Sequence, residues 1–279
     1  MSVEPVTETE TSGDAPAIPG HYHFRGVLGT EWIKLRSVRS TVWTLLATVV
    51  IGIGLGAIVT SAQAARFDTR SLVAQQTFDP TRSSLSGFLF AQLAIGVLGV
   101  LIVSAEYSTG TIRATFSAVP RRPLVLVAKA SLFGAIVFVV GEVVAFVAFF
   151  IGQGILTGHT PTASLSDASA LRAVISAGLY LVVLGLLALG LAAIIRHTAA
   201  AISAFVGSLF VLPIIAAVLP SSFSDDVSRF LPQQIGTVMM TAHYHGSDTF
   251  GPWTGFCLLC GYAAVSLVVA GVLLVRRDA

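Results

Sequence analysis

Residues 104–123, SAEYSTGTIRATFSAVPRRP, separate two apolar runs, each long enough to cross a membrane. The stretch holds a glutamate, a tyrosine, three arginines, two prolines and several hydroxyls. Hydrocarbon offers no water to satisfy such groups, so only helices and closed barrels cross it. The stretch therefore stands in water and the runs on either side stand in lipid. That reading sets the fold class: an all-α membrane protein, its second and third spans joined by an elaborate connection rather than a tight turn.

Composition supports it. The chain is 54% hydrophobic and 11% charged, with a mean hydropathy of +0.85, whereas a soluble domain carries roughly 25% charged residues. A spanning helix needs about 20 mostly apolar residues. Six windows qualify: 41–62, 86–104, 126–156, 171–195, 199–219 and 253–275. The third is the longest, and its first part is expected to stand in the cytoplasm before entering lipid.

Lys and Arg are retained on the cytoplasmic side of short loops. With the N-terminus inside, eleven of the sixteen Lys and Arg residues lie on that side and five on the other. Both termini are thus expected in the cytoplasm, and 104–123 is a cytoplasmic loop. Residues 1–20 are acidic and lack the basic and apolar regions of a signal peptide; they read as a disordered cytoplasmic tail, followed by a single transmembrane domain, 21–279. The larger outer loops are 63–85 and 220–252. The second contains RFLPQQIGTVMMTAH (229–243), whose amphipathic pattern predicts short helices at the outer interface.

Ahead of the first span, residues 24–40 read FRGVLGTEWIKLRSVRS. On a helix, Phe24, Val27, Leu28, Trp32, Leu35 and Val38 fall in one broad arc. Arg25, Lys34 and Arg36 flank that arc, where long cationic stems reach head groups. Glu31 and Arg39 intrude, and Ile33 faces away. The pattern predicts an interfacial helix over 24–39, with Trp32 as its anchor.

Within the opening stretch, Glu106 and Tyr107 stand at the water-facing end of the second span. Gly110 permits a bend without a Cβ penalty. Residues 111–116 read as a short amphipathic helix, with Ile112 and Phe116 four apart on one face. Pro120 and Pro123 end it around a double arginine.

EYSTGTIR (106–113), AVPRRPLVLVAKA (118–130) and EWIKLRSVRSTVWTLL (31–46) resemble the ABC-2 family of ABC-transporter permeases. The likeness extends over the layout of the whole chain. It implies that the loop between spans two and three carries the coupling helix that docks on a nucleotide-binding subunit. By resemblance, Glu106, Tyr107, Gly110, Thr111, Ile112 and Arg113 map onto that coupling segment. It further implies two permease chains, expected as a homodimer, with two ATPase subunits in a cytoplasmic membrane, and export as the usual direction.

A phosphate-cradling G-x-x-x-x-G-K-[ST] loop is missing from this chain: Lys34 is followed by Leu35, and Lys129 by Ala130. ATP and magnesium are therefore expected on a separate ATPase subunit. The permease itself is expected to be no enzyme and to bind no cofactor, metal or nucleic acid. The apolar composition suits a hydrophobic or amphipathic substrate.

Glu142 lies mid-span, where a carboxylate is costly and faces protein or water. It reads either as a substrate-cavity or proton-linked group or as an interhelical hydrogen-bond partner; Gln153 carries the same two readings. Gly52 and Gly56 have the spacing that allows close helix approach, read as general packing. Cys257 and Cys260 read as small apolar helix residues, not a redox pair. The H-Y-H pairs His21/His23 and His243/His245 lack the further ligands a metal needs. Competing classes are a secondary transporter, an intramembrane enzyme, and a non-transporting scaffold or immunity protein. No inverted repeat supports the first, and no H-E-x-x-H motif or Ser/His constellation the second.

Overall fold

The computed structural model describes residues 24–119, 121–218, 220–244 and 249–276. The expected tail at 1–20, and His21, His23 and His245, lie outside them. Among the described residues the secondary structure is helical, and six helices are long and apolar enough to cross a membrane. They are α2 (Arg39–Ala65), α5 (Phe88–Ser108), α7 (Arg122–Leu156), α8 (Ala168–Ile195), the pair α9 (Thr198–Val206) and α10 (Leu212–Val218), and α13 (Pro252–Arg276). Each overlaps a window read from hydropathy, its ends displaced by a few residues. Shorter elements are α1 (Phe24–Ser37), α3 (Leu72–Gln76), α4 (Pro80–Ser84), α6 (Thr111–Ala118), α11 (Ser221–Ser228) and α12 (Pro232–Met239).

Local chemistry explains several ends. Proline sits in the first turn of α4, α7 and α12, where its missing N–H would be unpaired anyway. Asp79 caps α4 by accepting from the backbone N–H of Thr81 and Arg82. The fifth span carries a π-helical turn at Gly207–Val211. Pro213 lies two residues beyond it; it has no N–H to donate and crowds the preceding turn, and a π turn is one way a helix absorbs such a misfit.

The bundle is organised on α8, which packs against α7, α5 and α13. Its apolar window is 67% buried, against 17% for α2, so α8 is the hub and α2 a peripheral wall. The hub depends on small residues that let backbones meet. A Cβ on Gly99 of α5 would lie 2.6 Å from the Gly185 carbonyl oxygen of α8. Helix α2 meets α5 in the same way: a Cβ on Gly87 would lie 2.0 Å from the Gly52 carbonyl oxygen. The Gly52/Gly56 seam is thus used for packing within the chain.

Packing refines two sequence expectations. The amphipathic outer segment does form a short helix, α12, which buries Ile235, Gly236, Val238 and Met239 against α13 and α8. Its C-terminal end is pinned by Arg172, which donates to the carbonyls of Met239, Thr241 and Ala242. Helix α1 also departs from its predicted arc. Val27, Glu31 and Leu35, one stripe at i, i+4, i+8, are buried, and α1 packs on α7. Phe24, Trp32 and Val38 of the arc stay exposed, as does Ile33.

Candidate functional site

At the end of the bundle where α5 finishes, four helices converge on a ring of charges. The stripe of α1 carries Glu31 between Val27 and Leu35, and this places its carboxylate against α7. There Lys129 Nζ donates to Glu31 Oε2 at 2.5 Å. Lys34, almost one turn along α1, donates to Glu31 Oε1 at 2.8 Å. Both lysines also donate to Glu106 Oε1 of α5, each at 3.0 Å. The ring is closed and neutral, two carboxylates alternating with two ammonium groups. Lys34 further donates to Thr115 Oγ1 of α6 at 3.2 Å, so the ring ties α1, α5, α6 and α7 together. Lys34 and Lys129 are the only lysines in the chain.

The two halves of the ring differ in exposure. Side-chain exposure is 1% for Glu31 and 6% for Lys129, but 39% for Lys34. Burial alone would raise the Glu31 carboxyl; the Lys129 and Lys34 ammonium groups outweigh it, and Glu31 titrates below its ordinary value. Burial likewise opposes protonation of Lys34, yet the hydrogen bond to Glu31 and the charge of Glu106 raise it above the ordinary lysine value.

Helix α6 hangs from this ring. Gly110 takes φ 72°, a left-handed conformation costly to other residues. The chain turns there, and α6 runs off as an amphipathic helix. Ile112 and Phe116 are buried, while Thr111, Arg113, Ala114 and Ser117 are exposed. Arg122 of α7 sits 5.3 Å from the Phe116 ring centroid and donates to the Leu274 carbonyl near the end of α13. Arg196 sits 5.3 Å from the Tyr107 ring centroid and donates to the neighbouring Leu273 carbonyl. The last carbonyls of α13 are thereby tied to the base of α6.

A family model described as "ABC-2 family transporter protein" matches residues 27–219, which include most of α1, the ring and α6. The chain belongs to the ABC-2 family of transporter proteins. It is a multi-pass membrane protein, and the family is a transmembrane component rather than a catalytic one. A comparison with curated proteins finds no match.

The residues expected in the ABC-2 coupling segment fall into two groups. Gly110, Thr111 and Arg113 lie at the turn or on the exposed face of α6, and Ile112 is its buried anchor. Glu106 belongs to the ring, and Tyr107 is half-buried beneath Arg196. On α1, Trp32 and Arg36 are exposed, whereas Lys34 turns into the ring. Glu31 and Lys129 are the members the sequence reading missed. The signal was present: an acidic residue intruding into an apolar arc, and a lysine at the start of a long span.

Glu142 and Gln153 also separate. Gln153 donates to the Pro80 carbonyl and to Ser84 Oγ, and accepts from the Ala163 N–H. It is an interhelical clamp between α7 and α4. Glu142 packs on Gly178 of α8, and neither carboxyl oxygen has a hydrogen-bond partner among the described residues.

Proposed function

We propose that this ABC-2 protein is the permease subunit of an ATP-driven exporter, with α6 as the docking element for a separate ATPase subunit. The supporting observation is the construction of α6. It is anchored by Ile112 and Phe116, bent away at Gly110, and keyed through Thr115 to the four-helix ring. A push on its exposed face would be passed to α1, α5 and α7 together, since all share charged partners.

In this reading α6 faces the cytoplasm, α1 lies along the inner leaflet with Trp32 toward lipid, and two copies of the chain flank the transport path in a cytoplasmic membrane. ATP and magnesium are bound by the partner, whose closure biases the permease between two arrangements, as ligand-driven population shift requires. The cargo is hydrophobic or amphipathic.

Co-expression with the cognate ATPase tests it. The complex should co-purify from detergent, and Arg113→Glu on the exposed face should abolish capture while leaving thermal stability unchanged. A cysteine at Ser117 should react with impermeant maleimide only from the cytoplasmic side. Labelling of Ser117→Cys from outside intact cells would overturn the proposal.

A further inference from the structure

The end of the bundle opposite α6 holds a cavity of about 470 Å³ between α3, α4, α8, α12 and the facing ends of α2 and α5. That volume lies in the range of small-molecule sites, ~300–1,000 Å³. Its lining is divided in chemistry. Arg70 and Arg82 reach it from one side, and neither forms an ion pair among the described residues. Arg70 stacks 5.5 Å from the Phe78 ring centroid.

The carboxylate beside them, Asp79, is already used. Its Oδ1 accepts from the N–H of Thr81 and Arg82, and its Oδ2 from the N–H of Ala242 at 2.7 Å. The cavity thus presents two guanidinium groups, both able to donate. Phe78, Leu89 and Met240 supply apolar wall.

Its level in the fold matters as well. It sits where spans end, near the exposed Leu72 and Val73 of α3, and Trp253 opens α13 with 54% exposure. Tryptophan at a span end marks the head-group zone.

We propose that this cavity binds an amphipathic molecule with an anionic head, the head held by Arg70 and Arg82 and the chain laid against Phe78, Leu89 and Met240. Guanidinium groups suit phosphate and carboxylate because their donors form a planar fork. A lipid of the outer leaflet and a transported anionic amphiphile share this chemistry.

The test uses the full chain in nanodiscs without its ATPase, so failure here leaves the permease reading untouched. Dodecyl phosphate and phosphatidylglycerol are titrated against dodecanol, phosphatidylcholine and inorganic phosphate. At least one anionic amphiphile should bind tenfold or more tightly than its neutral counterpart and than inorganic phosphate. The lipid doing so points to a bilayer source, and dodecyl phosphate alone to cargo. Arg70→Ala with Arg82→Ala should remove the preference, whereas Arg66→Ala, an exposed arginine outside the cavity, should keep it. A diazirine-bearing alkyl phosphate should crosslink to wild-type residues 78–92 or 233–240. Equal binding of neutral amphiphiles, equal binding of inorganic phosphate, an unchanged preference in the folded double variant, or crosslinks confined to other segments would each overturn the proposal.

Discussion

Removing Lys129 from the ring should damage the fold far more than removing Lys34, although both contact the same two carboxylates. In Lys129→Met the Glu31 carboxylate stays buried at 1% exposure with only the half-exposed Lys34 to balance it. Breaking a buried pair on one side costs about 3–5 kcal/mol, at least a hundredfold in the folding equilibrium at about 1.4 kcal/mol per tenfold. Lys34→Ala removes a group 39% exposed, and pairs of that kind contribute only about 0–1 kcal/mol. Glu31→Gln combined with Lys129→Met takes both charges away and should recover most of the loss, since replacing a buried pair by neutral groups is often close to neutral. Unfolding in mixed micelles, followed by the fluorescence of Trp32, Trp43 and Trp253, reads all five proteins, Glu31→Gln alone included. If Lys129→Met and Lys34→Ala lose equal stability, or if the double variant is as unstable as the sum of its parts, the ring does not hold these helices together.

The same ring sets a pH window. Glu31 titrates below its ordinary 4.5, so its contribution is complete above that pH and is lost as pH falls through the lower folded value. Lys34 titrates above its ordinary 10.5, so its contribution is complete below that pH and is lost as pH rises through the higher folded value. Stability from these two groups should therefore be flat between the two ordinary values, with the acid loss absent in Glu31→Gln. Gly110→Ala meets no atom within 4 Å but must hold φ 72°; it should cost about 1–2 kcal/mol of backbone strain and reduce ATPase stimulation by the reconstituted complex. Gly87→Ala drives a methyl into the Gly52 carbonyl and should cost about 1–3 kcal/mol, read as a lowered thermal midpoint. Glu142→Gln should leave the thermal midpoint unchanged or higher, because it removes an ionisable group that no described partner satisfies; a lower midpoint would show that the carboxylate is held by a favourable contact.

Much of the candidate site could be read in the sequence because its signals are local. Gly110 announces a turn by composition alone, and Ile112 and Phe116 mark one face by their spacing. Glu31 and Lys129 could not be paired that way. They are 98 residues apart, and periodicity records which face a residue occupies, not what lies opposite. Glu31 therefore looked like a flaw in an apolar arc, when it is the centre of the buried stripe. The apolar arc of α1 was likewise assigned whole to lipid, and only packing on α7 divided it. In α12 the same ambiguity arose, since an amphipathic helix presents one apolar face whether it rests on a membrane or on protein.

Taken alone, the sequence determined the number of helices long and apolar enough to span a membrane, their approximate limits, the bend at Gly110 and the place of the polar connection between the second and third. Those properties depend on the transfer of each segment between water and hydrocarbon, a sum over neighbouring residues. Tertiary structure alone decided that α8 is the hub, that two lysines and two glutamates close one neutral ring, that Gln153 clamps α7 to α4, and that two arginines share a cavity at the far end. These depend on distances between segments far apart in the chain, which steric fit between helices fixes and local hydrophobicity does not record.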